Sequence, residues 1–109
     1  MTGIKFVIGL VVAVASARPA FAVDWQYCLA PSRADHKVYI SARFPQHGAL
    51  GDSDNAFQRM LDNAGLRYDD IQCPRADDER SIVVMMQYAI NFNRRNGNTI
   101  IDLPLERTR

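Results

Sequence analysis

Two cysteines, Cys28 and Cys73, limit what this chain can fold into more than any other residues in it. An even pair in an oxidising compartment implies one disulfide. Closing the 44 residues between them stabilises a fold by about 4 kcal/mol in the chain-entropy description. That is a large share of the ~5–15 kcal/mol that holds an ordinary domain together. The competing use of cysteine is a redox-active or nucleophilic thiol. It has less behind it, because no C-x-x-C occurs and no His, Lys or Arg adjoins Cys28. Only Pro74-Arg75 after Cys73 points to a lowered thiol pKa.

The amino terminus speaks to the compartment. Lys5 and the terminal amine precede a ten-residue apolar core at 6–15 (FVIGLVVAVA), too short to span a bilayer at about 1.5 Å per residue. Pro19 breaks the helix, and Ala20-Phe21-Ala22 places small residues where a signal peptidase reads. Cleavage is expected before Val23, with Ala15-Ser16-Ala17 as the second site and an uncleaved anchor as the alternative. No twin arginine precedes the core and no cysteine follows the cleavage site, which favours the general secretory route over a lipoprotein anchor. The expected organisation is therefore a cleaved signal at 1–22 and a single small α+β domain at 23–109, periplasmic or secreted.

The remaining 87 residues contain 37 apolar ones, with 11 basic and 12 acidic groups for a formal charge of −1. That is too apolar and too weakly charged for a disordered tail. The balance offers no general attraction to nucleic acid. No second apolar run approaches the roughly 18 residues of a membrane span, so stable membrane insertion after signal cleavage is not expected.

Periodicity predicts the elements. Residues 24–29 read as a strand with Trp25, Tyr27 and Leu29 on one face and Cys28 on the other. After a turn, 37–44 is the clearest strand: Val38, Ile40, Ala42 and Phe44 inward, Lys37, Tyr39, Ser41 and Arg43 outward. A loop at 45–52 leads to a helix capped by Asp52 or Ser53, whose stripe is Ala56, Phe57, Met60, Leu61 and Ala64. Gly65 suits the left-handed position after a helix, with Leu66 covering Leu61 in a Schellman ending. Residues 67–73 read as a strand, 74–77 as a turn, and Asp77 as the cap of a long helix at 78–96. Its buried stripe is Ile82, Met85, Met86, Ala89 and Ile90, extended by Phe92 or Asn93. Asp78 and Glu79 at its start and Arg94 and Arg95 at its end match the helix dipole. Gly97 closes it, and 98–103 forms the last strand. The order ββαβαβ predicts a two-layer α+β sandwich, a sheet of about four strands with both helices on one face.

The chemistry-bearing residues are few. His36 and His47 flank the main strand, placing them about 25–30 Å apart at its full length, too far to share a metal or a proton. Asp69-Asp70 and Asp77-Asp78-Glu79 are acidic clusters, but no D-x-D-x-D-G loop is present and the second sits at a helix start. There is no G-x-S-x-G elbow and no Gly-rich run before a Lys. Neither a catalytic residue, a metal nor a cofactor is expected. The stretch 91–98 (NFNRRNGN) stands out, since asparagines are poor in helix interiors and arginines offer planar donors for carboxylates, phosphates or sugars. Asn91, Asn93, Arg94, Arg95, Asn96 and Asn98 form one candidate binding patch. The outward row with Tyr39 and Arg43 forms a second, if that face of the sheet is uncovered.

Cys28, the strand Val38-Tyr39-Ile40-Ser41, Cys73-Pro74 and the ending from Asn93 to Ile101 together resemble a scattered type of small exported bacterial protein. Such proteins have a cysteine-bearing strand, two helices and a closing strand. The resemblance covers most of the mature chain and brings no activity with it. The element order is also similar to small glycan-binding sheet domains of the bacterial envelope, a likeness of topology alone. The expected function is a non-catalytic binding or accessory module, monomer or small oligomer, for an envelope component, another exported protein or a cell-wall glycan. A small metal-dependent or acid–base hydrolase using Asp69, Asp70, His36 and His47 is one alternative, and a thiol-reactive exported protein is the other.

Overall fold

The first half of the fold is a long hairpin whose two arms are each broken once. The computed structural model describes residues 24–46, 48–49 and 51–104, so the expected signal at 1–22 and His47 lie outside the described residues. One arm is β1 (Asp24–Gln26) and β2 (Leu29–Ser32); the other is β3 (Lys37–Ser41) and β4 (Phe44–Gln46). Leu29 stands opposite Ile40, whereas Gln26 stands opposite Phe44. Two residues of the first arm, Tyr27 and Cys28, thus face three of the second, Ser41, Ala42 and Arg43. This is a β-bulge. Ser41 holds it together: its N–H donates to the Cys28 carbonyl at 2.9 Å, and its Oγ accepts from the Cys28 N–H at 2.9 Å.

The bulge corrects the expected alternation. An extra residue turns every later side chain to the other face. Phe44 therefore joins Tyr39 on one face while Ile40 lies on the other, and Ala42 is pushed out to solvent. The first arm has no insertion, and there Trp25, Tyr27 and Leu29 share a face opposite Cys28 as expected.

The third chain segment lies along the first arm. Its bounds differ from the expected strand at 67–73 and turn at 74–77, for β5 is Arg75–Ala76, antiparallel to β1. Between their backbones, residues 69–73 bond the arm at a single bridge, Leu29 with Gln72, and through the Asp69 N–H donating to the Pro31 carbonyl at 2.7 Å. Pro31 and Pro74 have no N–H to complete the ladder, which is why it stays broken. The common register of Trp25 with Ala76 and Leu29 with Gln72 sets Cys28 opposite Cys73, and the two form the disulfide.

The last strand, β6 (Thr99–Leu103), runs parallel to β3. The described residues thus make two three-stranded sheets, β4-β1-β5 and β2-β3-β6, rather than one of four strands. The Thr99 N–H donates to the His36 carbonyl at 2.8 Å, so odd-numbered residues of β6 face β3. Its outer edge offers only the backbone of Ile100 and Asp102 before Pro104, which has no N–H. A charge and a proline blunt that edge against strand addition.

The helices are α1 (Asp52–Asn63) and α2 (Glu79–Arg95). Phe57 and Leu61 of α1 pack with Cys28, Ala30, Tyr39 and Phe44. Ile82, Met86, Ala89 and Ile90 of α2 pack instead with Tyr27, Leu29, Ile40 and Ile100. Neighbouring strand residues point to opposite sides, so the helices cover opposite faces rather than one. That buries Tyr39 and Ser41, which were expected to face outward.

Both helices end as their glycines predict. Gly65 and Gly97 have positive φ, and the following N–H groups of Leu66 and Asn98 reach back to Leu61 and Asn93 at 3.0 and 2.9 Å. Each is a Schellman ending. The starts differ by one residue from expectation. α1 is preceded by Gly51 at φ 92° with no side-chain cap, because the Asp52 carboxylate accepts from Ala49 N–H instead, at 3.0 Å. Asp78, not Asp77, caps α2, accepting from the Ser81 N–H at 2.8 Å.

Candidate functional site

The carboxylates that sequence offered for chemistry are occupied with structure. Asp35, in the turn between β2 and β3, accepts from Arg67 at 2.7 Å and from Ser32 at 3.1 Å. These bonds, Arg67 foremost, hold its carboxyl below the usual range. Asp69 accepts the Arg33 backbone N–H at 2.8 Å, which pins the hairpin turn to the segment beside it. The Asp78 carboxyl is also lowered, first by its bond to the Ser81 backbone. His36 sits in the same turn at φ 55°, exposed. No group of three metal-ligating side chains occurs among the described residues.

These pKa directions carry a prediction. Asp35 and Asp78 are depressed when folded, below the value of about 3.9 they have when unfolded. The stability they add is complete above that value and is lost as pH falls through their folded pKa values. Melting temperature is expected to drop on acidification from about pH 5 towards pH 3. The double variant Asp35→Asn, Asp78→Asn is expected to start lower at neutral pH and to fall less steeply over that interval. Thermal unfolding followed at several pH values checks this.

Near the disulfide lies a second polar cluster that sequence reasoning missed. Gln26, Gln46 and Ser53 are all buried. The Gln46 amide donates to Gln26 Oε1 and to Ser53 Oγ, and Ser53 Oγ donates to Gln26 Oε1 at 2.9 Å. Gln26 Nε2 in turn donates to the Cys73 carbonyl at 2.8 Å, and the Gly48 N–H donates to Gln46 Oε1 at 2.7 Å. Each group is satisfied, and the network joins β1, β4, α1 and the disulfide strand. Its role is to hold them together.

The asparagine-arginine stretch is divided by the fold. Asn93 and Asn96 turn their amides onto the carbonyls of Ala89 and Phe92 at 2.8 and 2.7 Å. Asn98 donates to the Asn93 side chain at 3.1 Å. These three serve the end of α2. Asn91, Arg94 and Arg95 remain exposed. Of the second candidate row, Tyr39 is buried, and Arg43 is tied to Glu79 at 2.9 Å.

The fold also brings pieces together. The bond from Thr99 to His36 sets the end of α2 beside the hairpin turn, and Lys37 pairs in register with Thr99. Lys37, Arg94 and Arg95 therefore share one end of the molecule. Arg33, Arg43, Arg67 and Arg75 each hold a carboxylate, whereas those three cations form no ion pair among the described residues.

A further surface was legible in composition but misassigned. Val84, Met85, Tyr88 and Phe92 are 62%, 37%, 68% and 48% exposed. Met85 thus leaves the stripe expected to be buried, Asn93 rather than Phe92 extends it, and Val83 joins the inner positions with Ile82, Met86, Ala89 and Ile90. The helix carries more apolar residues than one face can hold. At about 100° per residue, Arg95 falls on this outer ridge, while Arg80, Gln87, Asn91 and Arg94 lie on the polar flank.

The fold and these surfaces define a class: a small α+β domain clasped by one disulfide, with an apolar outer ridge on its long helix and a basic end beside it. No family model, curated protein or solved structure matches the chain.

Proposed function

We infer that this chain is an exported, non-catalytic binding module that holds an anionic component of the cell envelope at its basic end. The observation that carries the reading is the gathering of Lys37, Arg94 and Arg95 at that end, none of them in an ion pair with another described residue, Lys37 acting only at longer range on Asp35. Asn91 adds amide donors and acceptors on the same flank as Arg94. Arginine's planar fork suits carboxylate and phosphate groups, and a cell-wall glycan carrying them is the first occupant to test. Export is supported by the charged start, short apolar core and small-residue site at 1–22, and a disulfide agrees with an oxidising compartment. A hydrolase has less support, because the Asp69 carboxylate is spent on the Arg33 backbone. A thiol chemistry has less still, with both cysteines bridged.

The test is co-sedimentation with purified cell-wall glycan. The oxidised chain is expected to bind at low ionic strength, to be released by salt as exposed charges are screened, and to lose about tenfold in affinity in Lys37→Glu, Arg94→Glu. Binding unchanged by that charge reversal, or none at low salt, overturns the reading. The mass of the exported species checks the compartment: it should equal residues 23–109 less two hydrogens. Full-length chain confined to the cytoplasm would sink export.

A further inference from the structure

We propose that the outer ridge of α2 seats a second copy of this chain, the two helices packing antiparallel about Tyr88. The inference rests on the apolar ridge rather than on the basic end of the glycan reading, and the two share Arg95 alone. Ser81, Met85, Tyr88, Phe92 and Arg95 recur at alternating steps of four and three, the spacing of a helix–helix seam. Its central aromatics are already arranged, with the Tyr88 and Phe92 rings stacked 6.4 Å apart at an interplanar angle of 14°. The opposite side of the same helix is taken up by the sheet, so this second apolar stripe is not a core stripe left over by a misplaced helix.

Charge selects the occupant and its direction. The approach to α2 and its first residue are acidic (Asp77, Asp78, Glu79), and its last turn is basic (Arg94, Arg95). Glu79 is the only acid within the helix. A parallel second copy would stack like on like. An antiparallel copy centred on Tyr88 sets Phe92 against Val84 of the other chain and Arg95 against Ser81. Asp77, exposed two residues before the first helical residue Glu79, then lies at the end of the seam that this arginine reaches. The contact occurs twice, as two-fold symmetry requires. Asp77 and Arg95 form no ion pair with the other described residues, so both are free to make it. The helix dipoles oppose as well.

The area sets the strength. The four exposed side chains present roughly 400 Å², and two copies with the flanking arginine stems approach the ~1,200 Å² at which specific interfaces begin. An interface of this size is that of a reversible dimer rather than an obligate one.

Sedimentation velocity of the oxidised chain across a concentration series tests this. A monomer–dimer equilibrium is expected, weakened about tenfold or more in Phe92→Ala and to a similar degree in Arg95→Glu. Adding Asp77→Arg to Arg95→Glu is expected to restore association, because each copy then offers the reversed pair. All these positions are exposed, and an unchanged melting temperature identifies a variant that still folds. A chain that stays monomeric to millimolar concentration, or a dimer indifferent to Phe92→Ala and to the charge reversal, overturns the proposal. The unaltered chain and Phe92→Ala keep Lys37, Arg94 and Arg95 intact, so glycan co-sedimentation by an unaltered chain that stays monomeric would retain the binding module and reject the dimer alone.

Discussion

Replacing Cys28 and Cys73 together by alanine is expected to lower the free energy of unfolding by about 4 kcal/mol, which in a domain of this size lowers the melting temperature by roughly 20 °C. The bridge spans 45 positions, so its loss frees a long loop in the unfolded chain. The backbone ladder holds the same segment only in part. Residues 69–76 meet the first arm through two-residue β5, the Leu29–Gln72 bridge, two bonds at Asp69, the Gln26 bond to the Cys73 carbonyl and the Arg75–Asp24 ion pair. Pro31 and Pro74 remove the donors that would complete the ladder. Without the disulfide, that edge and the buried Gln26 network attached at the Cys73 carbonyl are expected to open together. Urea unfolding of the oxidised protein and the double variant measures it. A difference below about 1 kcal/mol would show that the ladder and network suffice without the bridge.

Phe57→Ala is expected to cost about 3–5 kcal/mol. Phe57 has no exposed surface and stands in the cluster with Cys28, Ala30, Tyr39, Phe44 and Leu61. Truncation leaves a cavity between α1 and the hairpin, and the disulfide beside it restricts how far the walls can close. Phe92→Ala, on the outer ridge of α2, removes the same side chain from a surface and is expected to shift stability of the monomer by within about 0.5 kcal/mol. The pair should be compared at low concentration, where association does not contribute. Similar losses at both positions would mean that the outer ridge is covered in the folded monomer.

Local signals were legible wherever local physics decides. Gly65 and Gly97 end their helices because a left-handed residue is needed there and only glycine takes it freely. Trp25, Tyr27 and Leu29 share a face because no insertion interrupts that arm. The helix start was displaced by one residue where three acids, Asp77, Asp78 and Glu79, stood in a row; each is a reasonable neighbour of a helix dipole, and only backbone geometry selects the cap. The candidate binding residues were less legible. Asn93, Asn96 and Asn98 looked like ligand groups, yet a helix that ends in asparagine can use those amides on its own carbonyls.

The amino-acid sequence by itself determined the two helices and their endings, the polarity of α2 and the availability of one cysteine pair, because each depends on residues within a few positions of one another. Tertiary structure alone decided the rest. One extra residue between Ile40 and Phe44 turned the end of the hairpin over, since side-chain facing in a strand has a period of two. Helices on opposite faces buried Tyr39 and left Tyr88 and Phe92 outside, since burial depends on what arrives from elsewhere in the chain. The parallel pairing of β6 with β3 brought Lys37 beside the end of α2, more than fifty residues away in sequence. No local pattern encodes such a meeting, because it is made by register across a sheet.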